Sequence, residues 1–243
     1  MELGGRVALV TGAGRRLGRV LASALAERGM TLALHHHRSA GGAADLRDAI
    51  VAAGGRAACF AADLSDPVAA RELPARVVAE LGGLDLLVNS AAVMHRLPFE
   101  ATTPEHYDAI LDLNLRSVFF CTQGAAPALR RARGKVINLA DLGGLEPWPG
   151  FAAHSVSKAG VVMLTKVLAR ALAPEVTVNA IAPGTVLVPE EYDAAERDRL
   201  ARTTPLGRLG APADAVAALL SLAEAADFVT GDVLVVDGGR LLR

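Results

Sequence analysis

Seven short apolar runs divide this sequence, and a stretch with helical character separates each run from the next. Runs of this kind, four to six residues long, are typical of strands that are buried on both faces of a sheet. Strands that alternate with helices form parallel sheets with helices on both faces, so the pattern predicts an α/β fold. The predicted strands are Arg6–Val10, Thr31–His36, Ala57–Ala61, Leu84–Asn89, Lys135–Leu139, Val176–Ile181 and Val233–Val236.

The stretches between the runs predict the helices. Pro67, directly after Asp66, indicates the start of a helix. Proline is favoured in the first turn because the N–H that it lacks would have no partner there. The predicted helices are Leu17–Arg28, Gly42–Ala53, a helix that opens at Asp66-Pro67, Pro104–Arg130, Phe151–Ala173, Glu190–Arg202 and Pro212–Ala225.

The sequence shows no linker, low-complexity tract or internal repeat that would divide it. Residues 1–243 therefore predict a single-domain Rossmann-type fold, a doubly wound parallel sheet of about seven strands with helices on both faces. The charged, proline-containing stretch 185–210 predicts an insertion that lies over the sheet as a lid.

Charge and cysteine content exclude several classes of function. The 25 basic and 26 acidic side chains give a formal net charge of −1, so we expect neither a nucleic acid nor a membrane as partner. The first apolar run is too short for a signal sequence or a membrane span, so we expect a cytoplasmic protein. Cys59 and Cys121 lie in apolar surroundings and are interpreted as buried free thiols.

A glycine-rich segment, Thr11-Gly12-Ala13-Gly14-Arg15-Arg16-Leu17-Gly18, follows the first predicted strand and opens the first helix. Glycines let the backbone approach a pyrophosphate, and the N–H groups of a helix N-terminus point at its charge. An ordinary glycine turn is the alternative, but the strand–helix junction favours a dinucleotide site. Its predicted cofactor contacts are Gly12, Arg15, Arg16, Leu17 and Gly18.

The end of the second predicted strand selects the dinucleotide. NAD-binding proteins usually carry an acidic residue there for the ribose 2′-hydroxyl, whereas this strand ends in three histidines followed by Arg38 and Ser39. One guanidinium group binds two phosphate oxygens at once, so arginines suit the 2′-phosphate of NADP(H). The residues predicted to bind this phosphate are Arg16, His37, Arg38 and Ser39. Neighbouring residues of a strand point to opposite faces, so the three histidines do not predict a metal site.

These features resemble the short-chain dehydrogenases/reductases over nearly the whole chain. Asn114 is similar to the family's catalytic-helix asparagine, and Lys158 to its lysine, which also binds the cofactor. Val229-Thr230-Gly231 and Asp237-Gly238-Gly239 resemble its C-terminal signature. The resemblance implies further cofactor contacts at Asp63, Leu64, Asn89, Ser90, Ala91, Pro183, Gly184 and Thr185.

Within that family, the chain resembles pteridine reductases and bacterial dihydromonapterin reductases. Arg15-Arg16-Leu17-Gly18 stands where most members have Gly-Ile-Gly, and His-His-His-Arg-Ser ends the second strand. Asp141 stands where most members have serine, and the ending from Asp237 is also similar. The resemblance implies an NADPH-dependent reductase that acts on a pterin-like or carbonyl substrate.

One position departs from the family pattern. His154 occupies the place of the catalytic tyrosine, four residues before Lys158, so the predicted catalytic set is Asn114, Asp141, His154 and Lys158. An imidazolium donates a proton, and free histidine titrates near ~6.5, close to a working pH. Asp141 would accept a hydrogen bond from one ring nitrogen and favour the charged form, while Lys158 would oppose it.

The sequence leaves the proton donor open. An imidazole reaches less far than a phenol, so a bridging water would restore its contact with the substrate. Alternatively, Asp141 or Tyr192 in the predicted lid is the donor. His154 would then be a remnant without a catalytic role.

The substrate pocket is also altered. Val93-Met94-His95-Arg96 replaces the aromatic residue that stacks on the pterin in pteridine reductases. Trp148 and Phe151 either form an aromatic wall or, in the case of Trp148, anchor a packed loop. Two further functions therefore stand beside a pterin or carbonyl reductase. One is an NADP(H)-binding protein with little or no catalysis, and the other is a 3-oxoacyl-thioester reductase.

The stretches Glu105–Arg130 and Phe151–Ala173 are rich in Ala and Leu, with few charges on one side. We expect these helices to pack against a second subunit, and the family resemblance implies a homodimer or homotetramer.

Overall fold

The computed structural model describes residues 1–188 and 193–242. Seven strands alternate with eight α-helices in this part of the chain. The strands are β1 (Val7–Val10), β2 (Thr31–His36), β3 (Arg56–Ala61), β4 (Leu86–Asn89), β5 (Lys135–Leu139), β6 (Thr177–Pro183) and β7 (Val233–Val236). The helices are α1 (Arg16–Glu27), α2 (Ala40–Ala52), α3 (Pro67–Leu81), α4 (Pro104–Leu111), α5 (Ser117–Ala132), α6 (Ala152–Leu172), α7 (Ala194–Arg202) and α8 (Pro212–Leu220).

All seven strands form one parallel sheet in the order β3-β2-β1-β4-β5-β6-β7. The predicted doubly wound α/β fold is therefore confirmed. The strand order reverses direction between β1 and β4, and a doubly wound sheet binds ligands at the carboxyl ends of its strands beside such a switch point. The loops after these two strands consequently define where a site is expected.

Alternating residues of each central strand pack into two hydrophobic cores, one on each face of the sheet. Ala8 and Val10 of β1 face a core that includes residues of α1, α2 and α8. Val7 and Leu9 face the opposite core, which includes residues of α3, α5 and α6. Because β1 and β4 are buried on both faces, they hold the loops at their carboxyl ends rigidly.

The long helix predicted over Pro104–Arg130 is in fact two α-helices. A π-helical turn at Asp112–Arg116 separates α4 from α5, and such turns often occur at functional sites because they rotate side chains out of the helical register. A second π-helical turn, Ser221–Ala225, replaces the last turn predicted for the helix that begins at Pro212. Apolar periodicity did not distinguish these turns from regular helix.

Two other expectations change in detail. Asp193 caps α7, so the described helix begins later than the predicted Glu190, and Glu190 and Tyr192 lie outside the described residues. Cys121 is fully buried, and burial raises the pKa of its thiol to about 12, but Cys59 is only partly buried. Across residues 1–188 and 193–242, each helix is too short or too polar to cross a membrane.

Candidate active site

The glycine turn after β1 has no room for side chains at its key positions. Gly12 has a φ of +69°, a conformation that glycine adopts without strain. A Cβ on Gly18 would lie 2.4 Å from the Gly12 carbonyl oxygen, and a Cβ on Gly14 would lie 2.3 Å from Ser39 Oγ. The turn therefore packs closely on itself and on Ser39 only because these positions are glycine, as a tight strand-to-helix turn at a pyrophosphate site requires.

The side chains of Thr11 and His35 hold the turn in place through hydrogen bonds. Thr11 Oγ1 accepts hydrogen bonds from the Ser90 and Ala91 backbone N–H groups, at 2.9 and 3.0 Å, and so joins the ends of β1 and β4. The Gly12 N–H donates to Nδ1 of buried His35 at 3.1 Å. The predicted contacts Gly12, Ser90 and Ala91 therefore lie together at the switch point of the sheet.

Unpaired guanidinium groups surround this turn. Arg15, Arg16 and Arg38 are exposed, and within the described part of the chain none of their guanidiniums forms a hydrogen bond or an ion pair. The hydroxyl of Ser39 makes no capping hydrogen bond to α2. Cations and a hydroxyl without protein partners are the donor set that a 2′-phosphate needs, so these residues fit NADP(H).

The residues predicted to contact the adenine side of the cofactor follow β3. Asp63 accepts two hydrogen bonds from Ser65, which lower the pKa of its carboxyl, and it lies 3.7 Å from exposed His37. Leu64 is buried. Among the described residues, no three histidine, cysteine, aspartate or glutamate side chains lie close enough together to hold a metal ion.

Asn114 projects from the π-helical turn into the interior and clamps the chain after β4. Its Oδ1 accepts from the Val93 N–H at 2.8 Å, and its Nδ2 donates to the Val93 carbonyl at 2.9 Å. This pair of contacts defines which end of the amide is oxygen. Nδ2 also lies 3.1 Å from Ser157 Oγ and 3.3 Å from His154 Nδ1.

His154, on the first turn of α6, is 2% exposed and has partners at both ring nitrogens. Nε2 lies 2.5 Å from Asp141 Oδ2, and Nδ1 lies 3.3 Å from both the Val93 carbonyl and Asn114 Nδ2. A neutral ring accepts from Asn114 at Nδ1, whereas an imidazolium donates to Val93, and in both states Nε2–H donates to Asp141. The surroundings therefore accommodate either protonation state.

Asp141 and Lys158 complete this buried group. Burial raises the pKa of Asp141, but the hydrogen bond with His154 and the charges of Lys158 and His154 outweigh burial and hold it below its usual value. Burial lowers the pKa of Lys158, which Asp141 partly offsets, and Lys158 Nζ donates to the Leu139 carbonyl at 2.6 Å. Asp141 Oδ1 is buried beside Gly143 and has no hydrogen-bond partner of normal geometry among the described residues.

An aromatic group lies against His154. The Trp148 indole is nearly parallel to the imidazole, with 6.3 Å between ring centroids, and it meets Phe151 edge-on at 6.0 Å. Its Nε1–H donates to Glu146 at 2.9 Å. Any Cβ on Gly143 would lie 2.9 Å from the indole, so this glycine lets Trp148 settle against the loop after β5.

The remaining predicted residues are placed differently. Asn89 directs its amide into the protein, where Nδ2 donates to Thr122 and Asn138, so its described polar contacts are structural. Pro183 ends β6, and Thr185 Oγ1 accepts from Arg240 at 3.4 Å. A Cβ on Gly184 would lie 3.0 Å from Asp237 Cα. Leu17 is half-buried in the first turn of α1.

Two polar contacts were not predicted. His35 was considered only as one of three adjacent histidines, although its place on a buried strand indicates a ring that needs internal partners. Ser157 joins Asn114 to the His154 backbone through a hydrogen bond of 2.7 Å to the His154 carbonyl.

Comparison with known proteins gives this arrangement a family. A family model described as Enoyl-(Acyl carrier protein) reductase matches residues 12–240. The chain belongs to the short-chain dehydrogenase/reductase family. It is 37% identical to 3beta-hydroxysteroid dehydrogenase 1 of Eggerthella lenta, over 99% of this chain and 95% of that one. It is 36% identical to a 3-oxoacyl-[acyl-carrier-protein] reductase of Staphylococcus aureus, over 97% and 98%.

A solved structure of the same family is also similar. The gluconate 5-dehydrogenase of Burkholderia cenocepacia, in complex with NADP and tartrate, matches with a TM-score of 0.92 and 33% identity. The match covers 99% of this chain and 96% of that one. As a family member with such relatives, the protein is an oxidoreductase that uses a nicotinamide cofactor.

Proposed function

We propose that the protein is an NADPH-dependent reductase of a carbonyl group, with His154 and Asp141 as one proton-donating unit. The observation that carries the proposal is the 2.5 Å contact between His154 Nε2 and Asp141 Oδ2 at the carboxyl end of β5. It replaces a lone phenol with a charged pair that stores a proton.

Three features support NADP(H) over NAD. Arg16 and Arg38 are exposed cations at the glycine turn and the end of β2, and no acidic residue ends that strand. Ser39 lies against Gly14, which brings its hydroxyl beside the turn. The NADP complex of the similar gluconate 5-dehydrogenase agrees with this choice.

The chain's own residues supply the proton. When bound, the reduced nicotinamide would supply a hydride to the carbonyl carbon, and the oxygen then needs one proton to become an alcohol. His154 would hold that proton as imidazolium between Val93 and Asp141 and transfer it to Asp141 Oδ2, from which it would pass to the substrate oxygen. The lowered pKa of Asp141 keeps its carboxylate ionised, so that it accepts the hydrogen bond of the ring until the proton is transferred.

The relatives favour a carbonyl over a pterin as substrate. The printed names of the hydroxysteroid dehydrogenase, the oxoacyl reductase and the gluconate dehydrogenase all refer to carbonyl or alcohol chemistry. Trp148 and Phe151 form an apolar wall beside His154, while exposed Met94 and Arg96 leave no aromatic surface after β4 for a pterin ring to stack on. A bulky apolar ketone or a 3-oxoacyl thioester therefore fits better.

One observation favours an NADP(H)-binding protein without catalysis. Both ring nitrogens of His154 are engaged by protein groups, so the ring presents no free donor to a substrate. Under this second proposal, Asp141 and His154 form only a buried structural ion pair.

Turnover measurements separate the two proposals. NADPH oxidation is followed with a 3-oxoacyl thioester, a 3-oxosteroid and a dihydropterin, using the wild-type protein, His154→Phe and His154→Tyr. We expect turnover on a ketone, at least about 100-fold less in His154→Phe, with an unchanged dissociation constant for NADPH. Binding of NADPH without turnover on any substrate supports the binding protein, and unchanged turnover in His154→Phe removes His154 from the mechanism. Preference for dihydropterin would restore the pterin assignment.

We also propose that the protein self-associates through α5 and α6. Phe119, Met163 and Val167 are 43%, 59% and 54% exposed and line one apolar groove. Met163→Glu should place a charge in that contact, so we expect sedimentation to show a smaller species than the wild-type homodimer or homotetramer. A wild-type monomer would contradict this.

A further inference from the structure

A second buried histidine lies outside the catalytic group. His35 is the fifth residue of β2 and is 2% exposed. Its Nδ1 accepts from the Gly12 N–H at 3.1 Å, and its Nε2 lies 3.1 Å from the Ala62 carbonyl. The proposed reaction makes no use of this ring.

The two partners fix the chemical state of the ring. A backbone N–H is only a donor, so Nδ1 of His35 carries no proton. A carbonyl oxygen is only an acceptor, so Nε2 carries the hydrogen and donates to Ala62. His35 is therefore a neutral ring with one defined tautomer, and burial, which lowers its pKa to about 4, keeps it neutral.

The contacts of His35 join two loops of the cofactor site. Gly12 belongs to the glycine turn, where its φ is +69°. Ala62 directly precedes Asp63, in the loop assigned to the adenine side. The His35 carbonyl also accepts from the Ala13 N–H at 2.9 Å. One residue thus connects β2 to both the phosphate turn and the loop after β3.

We propose that His35 is a positioning residue that sets the affinity for NADP(H) by holding the Gly12 amide through Nδ1. The inference rests on the proposed cofactor and deepens it. With the Gly12 N–H anchored, the turn keeps the backbone conformation that a pyrophosphate needs. Without the acceptor, the amide is buried without a partner and the turn rearranges to satisfy it.

Two isosteric variants test the two hydrogen bonds separately. His35→Asn places an acceptor near the Nδ1 position, facing Gly12, but does not reach Ala62. His35→Gln places a donor near the Nε2 position, facing Ala62, but offers Gly12 no acceptor. Each variant loses one buried hydrogen bond, so each is a stability control for the other.

The dissociation constant of NADPH is measured by fluorescence titration, and the folded state of each apo variant is checked by thermal unfolding. We expect His35→Gln to raise the dissociation constant about tenfold, and His35→Asn to change it far less. Equal effects of the two variants, or no effect of His35→Gln, would overturn the inference while leaving the cofactor proposal intact. Failure of the wild-type protein to bind NADPH would overturn the cofactor proposal, and the inference with it.

A measurement on the wild-type protein covers the case in which His35→Gln does not fold. Nitrogen-15 spectra at neutral pH report which ring nitrogen of His35 carries the proton. We expect the Nε2–H tautomer with unprotonated Nδ1, and exchange of the Gly12 amide with solvent to be slow. The Nδ1–H tautomer or a rapidly exchanging Gly12 amide would overturn the proposal.

Discussion

The two halves of the candidate site are built in opposite ways. The phosphate corner, defined as Gly12–Gly18 with Arg38 and Ser39, consists of constrained backbone and of polar side chains that have no hydrogen-bond partner among the described residues. The acid corner, defined as Asn114, Asp141, His154 and Lys158, consists of side chains buried or largely buried and bonded to one another and to the chain. The polar side chains of the phosphate corner are therefore available to a ligand, whereas the acid corner already satisfies most of its own polar groups.

This difference predicts how each corner responds to a change of residue. Under the proposed function, Arg16 and Arg38 would bind the cofactor without a hydrogen bond to the protein, so replacing either would change cofactor binding. In the acid corner, His154 contacts Asp141, Asn114 and Val93 at once, so replacing the family tyrosine changes the state of every neighbour. Each prediction below changes one residue, either within one of the two corners or at His35 beside the phosphate corner.

The largest expected effect is in the acid corner, from Asp141→Asn. The amide removes the carboxylate charge beside His154 and replaces it with a group that does not take up a proton from the ring. We expect the turnover number for NADPH-dependent ketone reduction to fall about 100- to 1,000-fold. The dissociation constant of NADPH should stay unchanged, because the phosphate corner is untouched.

Glu80→Gln, on the exposed face of α3, removes a carboxylate elsewhere and serves as the matched control for Asp141→Asn. Turnover of Asp141→Asn within a factor of about two of the control would exclude the carboxylate from the proton path. A parallel loss of NADPH binding would show that the two corners are coupled.

Most of the phosphate corner follows from sequence, and much of the acid corner does not. Glycine spacing after a buried strand determines a backbone path, so Gly12, Gly18 and the cations were predictable. The hydrogen bond of Asp141 with His154 was also expected. The contacts of His154 Nδ1 were not expected, because they depend on the π-helical turn that rotates Asn114 inward.

His35 shows the same limit in the phosphate corner. Three adjacent histidines raised the question of a metal site. Because side chains alternate between the two faces of a strand, the sequence predicts that the three rings do not converge on one ion. Which of them turns inward depends on the register of β2 in the sheet, and the partner of the inward ring depends on how close β3 and the glycine turn approach. Such distances are properties of packing that a local pattern does not contain.

The second-largest expected effect is a loss of stability of the folded protein at acid pH. Burial lowers the pKa of His35 to about 4, below the free value of 6.5, so between these pH values the unfolded chain binds a proton that the folded chain does not. The stabilisation is complete above pH 6.5 and declines as the pH falls toward 4. We expect the free energy of unfolding of the wild-type apo protein to fall roughly 3 kcal/mol more over this range than that of His35→Leu.

Chemical denaturation at a series of pH values measures this difference. His35→Leu should be less stable than the wild-type protein at pH 7, since it leaves Gly12 and Ala62 without partners, but its stability should depend less on pH. Parallel curves for the two proteins would show that His35 does not titrate differently on folding.

A smaller effect is expected from Gly18→Ala. The added Cβ would lie 2.4 Å from the Gly12 carbonyl oxygen, so the turn must move. We expect the dissociation constant of NADPH to rise about 30-fold, the equivalent of ~2 kcal/mol of strain. Gly41→Ala is the control, because a Cβ on Gly41 in α2 meets nothing within 4 Å. Identical NADPH binding by the two variants would mean that this backbone does not carry the phosphates.

The smallest effect, and the most specific, is expected from Arg38→Gln. Since the Arg38 guanidinium has no hydrogen bond or ion pair within the described chain, its removal leaves no hydrogen-bonding group of the protein unpaired, and within the protein it removes a charge that helps to lower the pKa of Asp63. A charge-assisted bond to a 2′-phosphate would be lost, so we expect about tenfold weaker binding of NADPH. NADH lacks that phosphate, so its binding should not change. Arg131→Gln, an exposed change at the far end of α5, should alter neither constant. Equal weakening of NADPH and NADH by Arg38→Gln would assign Arg38 to another part of the dinucleotide, and the preference for NADP(H) would then rest on Arg16 and Ser39.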